Sequence, residues 1–268
     1  MTDSEKLEQI IAKTVASKKY KVILPETIRD VYITEFGRHK NLKATEEVAK
    51  KKLHRIRAEY LGEPDFRKAK EQLKTAFNSG DDEQIREVCK SIFSVHSSTR
   101  ERNSLLEEYY EKIFSVTGRP ESVTDLACAF NPLSFRWMGL PKSVLYYAYD
   151  VNSAFVDLIN YYFDLEGVKQ LASVRDIYTN PPDIRTDVAY LFKMYYCLEH
   201  RLRGAGWHVV EHVNSPKVAI SFPTINLVDK KTDILGVHES GIKENCARLG
   251  WKLHYVEFDN EITVVVEK

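Results

Sequence analysis

The sequence predicts an α/β protein: a doubly wound, Rossmann-like, seven-stranded sheet with its last strand antiparallel, preceded by an all-helical N-terminal domain. Three observations carry this expectation. Residues 1–100 place apolar side chains at helical spacing. From about residue 119, apolar runs of strand length alternate with helical stretches, the pattern of a parallel sheet with crossover helices. Near the end, Phe258-Asp-Asn-Glu261 is a short turn signal between two apolar runs, so the final two strands form a hairpin.

Taken in order, Ile10, Ile11 and Val15 make the first helical stripe. Leu24-Pro25-Glu26-Thr27 turns into a second helix with Ile28, Val31, Tyr32 and Phe36 on one face. Thr45 to Tyr60 is a third, with Val48, Leu53 and Ile56 inward, ended by Gly62-Glu-Pro64. Helices around 65–78 and 82–94 follow, with Asn78–Asp82 as turn and cap. His96 to Arg102 starts a helix carrying Leu105, Leu106, Tyr109, Ile113 and Phe114. Strands are expected at Ser122–Ala127, Ser143–Tyr149, Lys169–Val174, Val188–Phe192, Lys217–Phe222, Lys252–Phe258 and Glu261–Val266. Between them lie helical stretches including 152–164, 194–204 and 237–249. The division expected is a helical, basic domain over 1–100 and a sheet domain over 101–268. A parallel sheet with one reversed terminal strand suggests the class I methyltransferase variant of the Rossmann-like fold.

At 268 residues and 43% hydrophobic content, the chain can build a core without disulfide or metal staples. Cys89, Cys128, Cys197 and Cys246 are scattered with no C-x-x-C pair, so free thiols and no metal site are expected. The charged start, Met1-Thr-Asp-Ser-Glu-Lys6, is followed by no apolar signal region, and no run approaches the roughly 20 apolar residues of a membrane span. A soluble, cytoplasmic, monomeric protein is expected. Net charge is zero, yet Lys13 to Arg57 holds thirteen basic and five acidic side chains. Such a local excess suits nucleic-acid phosphate. Lys18, Lys19, Lys21, Arg29, Lys50, Lys51, Lys52, Arg55 and Arg57 are the candidate RNA contacts.

The stretch Ser122-Val-Thr-Asp-Leu-Ala-Cys-Ala-Phe-Asn-Pro-Leu133 runs from a strand into a small-residue turn, where open α/β sheets bind nucleotides. Asp125 lies in the strand, Ala127 and Ala129 leave room for a ligand near the backbone, and Asn131-Pro132 supplies a helix cap and first-turn proline. Asp150 ends the next strand, placed to accept ribose hydroxyls. Asp176 follows a third strand, placed to accept from an adenine amine while Ile177 packs on the ring. The absence of G-x-G-x-x-G removes the pyrophosphate cradle that a nicotinamide cofactor needs. S-adenosylmethionine has no phosphate and fits better; Arg102 or Arg100 is the cation for its carboxylate. Asn180-Pro-Pro-Asp183 precedes the fourth strand and is expected to be a plain loop.

Several blocks now resemble a known family, the aminoglycoside-resistance 16S rRNA guanine-N7 methyltransferases. Ser17-Lys-Lys-Tyr20, Thr27-Ile-Arg29 and Lys51-Lys-Leu-His54 are similar to its RNA-binding helices, and Ser98-Thr99 with Glu101-Arg102 to its interdomain link. Asp125-Leu-Ala-Cys128, Asn131-Pro-Leu133 and Trp137-Met-Gly-Leu140 resemble its first cofactor motif. Leu191-Phe-Lys193, Cys197-Leu-Glu199, Gly204-Ala-Gly206 and Ser221-Phe-Pro-Thr224 complete the pattern. Ala129 stands where that family often has glycine, and Ile225 to Lys231 lacks its glycine-rich run.

The resemblance implies methyl transfer from S-adenosylmethionine to a guanine N7 in the decoding region of 16S rRNA, within the assembled small ribosomal subunit. N7 bears a lone pair and no proton, so no general base is needed, and His54, His96 and His200 are structural or RNA-contacting. Phe192, Lys193, Tyr195 and Phe222 are candidates for positioning the base. Two alternatives stay open: a methyltransferase for another RNA, a small molecule or a protein, and a non-catalytic RNA-binding homologue.

Overall fold

A computed structural model describes residues 2–21, 23–59, 62–225 and 231–268, with the side chains of residues 57–59 left aside. The first helix, α1 (Asp3–Val15), opens on a capping box in which Thr2 and Glu5 each accept the other's backbone N–H. Pro25 starts α2 (Pro25–His39), where its missing N–H costs nothing, and α3 (Leu42–Glu59) returns beside it. Leu7, Ile11, Ile28, Val31, Tyr32, Leu53 and Ile56 pack together as a core belonging to these three helices. The next pair, α4 (Phe66–Ser79) and α5 (Asp82–Phe93), is capped by Asp65 and Asp81. Their apolar faces, with Leu73, Ile85 and Phe93, join the core beneath the sheet instead. Helical periodicity marks these segments but does not say which core receives them.

The helix expected from His96 onward is broken. A short α6 (Ser97–Arg100) and a 3-10 turn at Asn103–Leu105 precede α7 (Leu106–Thr117). The break turns Arg102 inward, where it is fully buried. Seven strands then form one sheet: β1 (Ser122–Leu126), β2 (Leu145–Asp150), β3 (Ala172–Val174), β4 (Val188–Phe192), β5 (Lys217–Pro223), β6 (Lys252–Glu257) and β7 (Glu261–Glu267). Their order is β3-β2-β1-β4-β5-β7-β6. The first five pair in parallel, and β7 lies antiparallel between β5 and β6. This matches the expected sheet and terminal hairpin.

Alternation along β4 assigns the two faces: Val188, Tyr190 and Phe192 enter the core with α4, α5, α7 and α9 (Ser153–Glu166), whereas Ala189 and Leu191 enter the other. That second face is covered by α10 (Tyr195–Arg201), α11 (Ala205–His212) and α12 (Ile234–Leu249). The helix expected over 194–204 is α10, which stops at Arg201, and α11 is an additional helix that was not expected. Gly204 sits at φ +88°, and the Glu199 carboxylate accepts from the backbone N–H groups of Gly204 (2.8 Å) and Gly206 (2.9 Å), capping α11. A side chain on Gly206 would also meet the Tyr195 carbonyl at 2.9 Å. These contacts explain two of the sequence blocks singled out above as structural. After β1, Asn131–Ser134 form a 3-10 turn leading into α8 (Phe135–Met138). No helix among the described residues is long and apolar enough to cross a membrane.

Candidate cofactor and RNA site

Strand order reverses between β1 and β4, and ligands of open α/β sheets bind outside the carboxyl ends of strands at such a point. A cavity of about 470 Å³ lies there. Ala127, Ala129, Asp150, Val151, Asp176, Ile177, Phe192 and Lys193 line it from the ends of β1 to β4. Ser98 and Glu101 line it from the break before α7, and Arg55 and Ile56 from α3. Helical and sheet regions thus share one chamber.

The turn after β1 is held in an uncommon backbone conformation. Ala127 (φ +53°) and Ala129 (φ +44°) both occupy the left-handed region, where a Cβ costs about 1–2 kcal/mol. The reason is the hydrogen bonding that the turn makes. The Ala129 N–H donates to Asp150 Oδ2 at 3.0 Å, and the Cys128 N–H to the Tyr149 carbonyl at 2.9 Å. The other Asp150 oxygen accepts from the Asn152 N–H at 2.9 Å. The Val151 backbone is a further hydrogen-bond partner, so the carboxylate keeps limited acceptor capacity, enough for a hydroxyl donor. Burial pushes the Asp150 carboxyl up to about 6.

Asp125 lies deeper, beside a small hollow shared with Arg102, Ala127, Asn131 and Phe192. Its Oδ2 accepts from Tyr146 at 2.7 Å and Asn131 Nδ2 at 2.9 Å, and burial pushes it up to about 6. The expectation that Asn131 caps a helix is corrected. Its buried amide cross-links Asp125 to Arg102, whose Nη1 donates to Asn131 Oδ1 at 2.9 Å. Arg102 itself lies over the rings of Tyr109 and Phe192, its guanidinium carbon 4.4 Å from each ring centre, and pairs with Glu261 at 2.9 Å. Its Nε has no hydrogen-bond partner among the described residues although it is buried. An orphaned donor at a hollow bordering the cavity calls for an anionic acceptor.

Sequence reasoning missed Glu261, the centre of this network. It is fully buried at the start of β7, accepts from Tyr109 and Arg102 at Oε1, and forms an ion pair with Lys193 at 3.1 Å. Burial alone would raise its carboxyl, but Arg102 and Lys193 hold it down at about 2. Lys193, in the left-handed region at φ +54°, also pairs with Glu101 at 2.6 Å. Its side chain is 2% exposed and held by two carboxylates, so at the cavity wall it serves as an internal counter-ion. Phe222 and Tyr195 are corrected likewise: both are buried against each other and against His238, away from the cavity lining. Of the aromatic candidates Phe192 alone lines the cavity, and Met194, Tyr196 and His200, which were not proposed as base-positioning residues, line it too.

Asp176 is placed on the wall but is already engaged. Its Oδ1 accepts from the Tyr178 and Thr179 N–H groups, and its Oδ2 from Arg201 Nη1 at 2.7 Å and the Thr27 hydroxyl. Every acceptor position on the carboxylate therefore has a protein donor, which corrects the expectation that it waits open for an amine. Ile177 lines the cavity beside it as expected. Asn180–Asp183 carry no helix or strand and precede β4, as a plain loop should.

On the helical surface Lys18, Lys19 and Lys21 are exposed. Arg29 pairs with Glu8, Lys50 with Glu46 and Lys51 with Glu47, all on the surface. Lys52 is corrected: at 16% exposure it pairs with Glu35 at 2.8 Å and donates to the Arg201 carbonyl. The Arg57 side chain and residues 226–230, most of the Ile225–Lys231 segment, lie outside the described residues. Among the described residues no cluster of His, Cys, Asp and Glu could hold a metal ion.

The family model described as ribosomal RNA methyltransferase (FmrO) matches residues 16–266. The chain belongs to this family. A 16S rRNA (guanine(1405)-N(7))-methyltransferase of Micromonospora echinospora is 30% identical over 98% of this chain and 97% of its own. The solved 16S rRNA methylase RmtB is 26% identical with a TM-score of 0.75, covering 98% of both chains. RmtF, solved with S-adenosyl-L-homocysteine, is 23% identical over 100% of this chain and 99% of its own with a TM-score of 0.75, a likeness of fold. The FmrO-family chain has a site that fits S-adenosylmethionine. Arg102 Nε is a buried donor with no hydrogen-bond partner among the described residues, and Asp150 and the apolar Ile177 line the cavity. Ala127 and Ala129 line the cavity where the strained turn meets it.

Proposed function

We propose that this chain methylates N7 of a guanine in 16S rRNA within the small ribosomal subunit, using S-adenosylmethionine, at the decoding-region guanine that its relatives' names specify. When bound, the cofactor supplies an electrophilic methyl group on sulfonium. The chain's own work is to hold, orient and exclude water. Arg102 and Asp150 anchor the two polar ends of the ligand, and Phe192, Met194 and Tyr196 offer apolar surface for a base drawn out of the RNA. No side chain needs to take a proton, because guanine N7 carries none, and positioning carries the rate. The observation that supports this reading best is the shared chamber: Arg55 and Ile56, from the basic helical unit, wall the same cavity as Asp150 and Ala129.

On this reading α1–α3, with their own core and the exposed Lys18, Lys19 and Lys21, form the unit that grips rRNA phosphate. The remainder, α4 and α5 included, is the catalytic body. The protein acts as a monomer in the cytoplasm. Methylation adds a positive charge at N7 and removes an acceptor, so an aminoglycoside that uses this site loses affinity. Mass spectrometry of 16S rRNA from small subunits incubated with the protein and S-adenosylmethionine tests the proposal, together with kanamycin and gentamicin susceptibility of expressing cells. A single N7-methylguanine and raised resistance are expected. Unmodified rRNA from a protein that binds the cofactor would turn the assignment toward another substrate.

A further inference from the structure

The contact between the helical unit and the cavity wall is charged, buried and specific. Arg201, at the end of α10, stands between two aspartates: Nη1 donates to Asp176 at 2.7 Å and Nη2 to Asp30 of α2 at 2.8 Å. The Arg201 side chain is 8% exposed and Asp176 3%, while Asp30, at 28%, is the outer member. Thr27, one turn before Asp30 on α2, donates its hydroxyl to the same Asp176 oxygen that Arg201 holds. From α3, Lys52 donates to the Arg201 backbone carbonyl and pairs with Glu35 of α2. Two helices of the RNA-gripping unit therefore meet one arginine and one aspartate of the cofactor wall. The Arg201 Nε, moreover, is buried with no hydrogen-bond partner among the described residues, while Arg201 lines the cavity.

We propose that Thr27 and Asp30 are positioning residues of the cofactor site, acting through Arg201 and Asp176 to fix the adenosine-side wall, so that cofactor affinity depends on α2 being seated. Neither Thr27 nor Asp30 lines the cavity. The proposal rests on the cofactor reading given above. The physical basis is that, among the described residues, Asp176 has no other side-chain donor besides Arg201 and Thr27. Without α2, Arg201 keeps one carboxylate partner instead of two, and Asp176 loses one of its four donors. Both side chains then gain freedom that the ligand must remove again on binding. Coupling of this kind is reciprocal: whatever factor a seated α2 adds to cofactor affinity, the bound cofactor adds to the seating of α2, and hence to the grip on RNA.

The test uses the full chain and S-adenosylhomocysteine as probe. Calorimetry on Asp30→Asn and Thr27→Val should show affinity weakened by about tenfold, within the usual range for coupled sites. Glu26→Gln, at an exposed position in the first turn of the same helix, should bind the probe as the wild type does. Hydrogen exchange gives a second readout that a merely destabilised helix would not reproduce. In the wild type the probe should slow exchange of α2 amides, and in Asp30→Asn it should not. Folded Asp30→Asn and Thr27→Val proteins that bind the probe with wild-type affinity would overturn the proposal, as would α2 amides indifferent to the probe in the wild type. Should Asp30→Asn fail to fold, Thr27→Val alone decides, since it removes one hydroxyl and no charge. A wild type that does not bind the probe would instead overturn the cofactor reading itself.

Discussion

Ala129 shows how much one methyl group can reveal. At φ +44° a glycine would be unstrained, so Ala129→Gly should relieve more energy than the added freedom of its unfolded chain costs. A gain of roughly 0.5–1 kcal/mol in urea unfolding is expected, with no loss of S-adenosylhomocysteine affinity. Asp150 makes a prediction in pH. Burial pushes its carboxyl up to about 6, and the ionised form is the stronger acceptor for a ligand hydroxyl beside its backbone donors. Cofactor affinity should be full above that value and fall as pH drops through it, measurable by calorimetry between about pH 5 and pH 8; a flat profile would remove Asp150 from ligand contact. Glu261 works in the opposite sense. Its carboxyl, depressed from 4.5 to about 2, contributes stability that is complete above 4.5 and lost as pH falls toward 2. Glu261→Gln leaves Arg102 and Lys193 without their shared anion and should cost about 3–5 kcal/mol at neutral pH. The variant should also lack the wild type's stability loss across that acid window. The acids at the ends of β1 and β2 were legible because strand periodicity places them. Glu261 was not, for its partner Arg102 lies 159 residues away and local pattern carries no such information.

Among the elements, sheet and hairpin were legible because short apolar runs alternating with helical stretches, the last two joined by a turn signal, have few other uses. What escaped was α11, whose start is dictated by the Glu199 carboxylate reaching forward to Gly204 and Gly206. Also hidden was the change of core between α3 and α4: both are amphipathic, and amphipathicity is silent about the partner. The cations of the helical unit separate once their neighbours are known. Replacing Lys18 and Lys19 by alanine should weaken subunit binding and lower its log–log salt slope by about 1 per lysine, leaving cofactor affinity intact. Lys52→Ala should act differently. It leaves Glu35 buried beside a lost partner, and after discounting for partial exposure a loss of about 2 kcal/mol in stability is expected. Equal salt slopes for the two variants would show that Lys52 touches RNA after all.

For the whole molecule, net charge was the least informative number in the sequence, since 39 basic and 39 acidic residues cancel while the helical unit alone is strongly basic. Architecture is also a timetable. Every other strand of the sheet is synthesised before β7, yet β7 belongs between β5 and β6 and brings Glu261 to Arg102. A growing chain that lacks β7 has an open edge at β5 and an arginine buried without its anion, an arrangement too costly to persist. The cofactor hollow is therefore finished only after the last strand has left the exit tunnel. A chain arrested on its ribosome before β7 emerges should capture no S-adenosylhomocysteine, whatever the concentration of subunits around it.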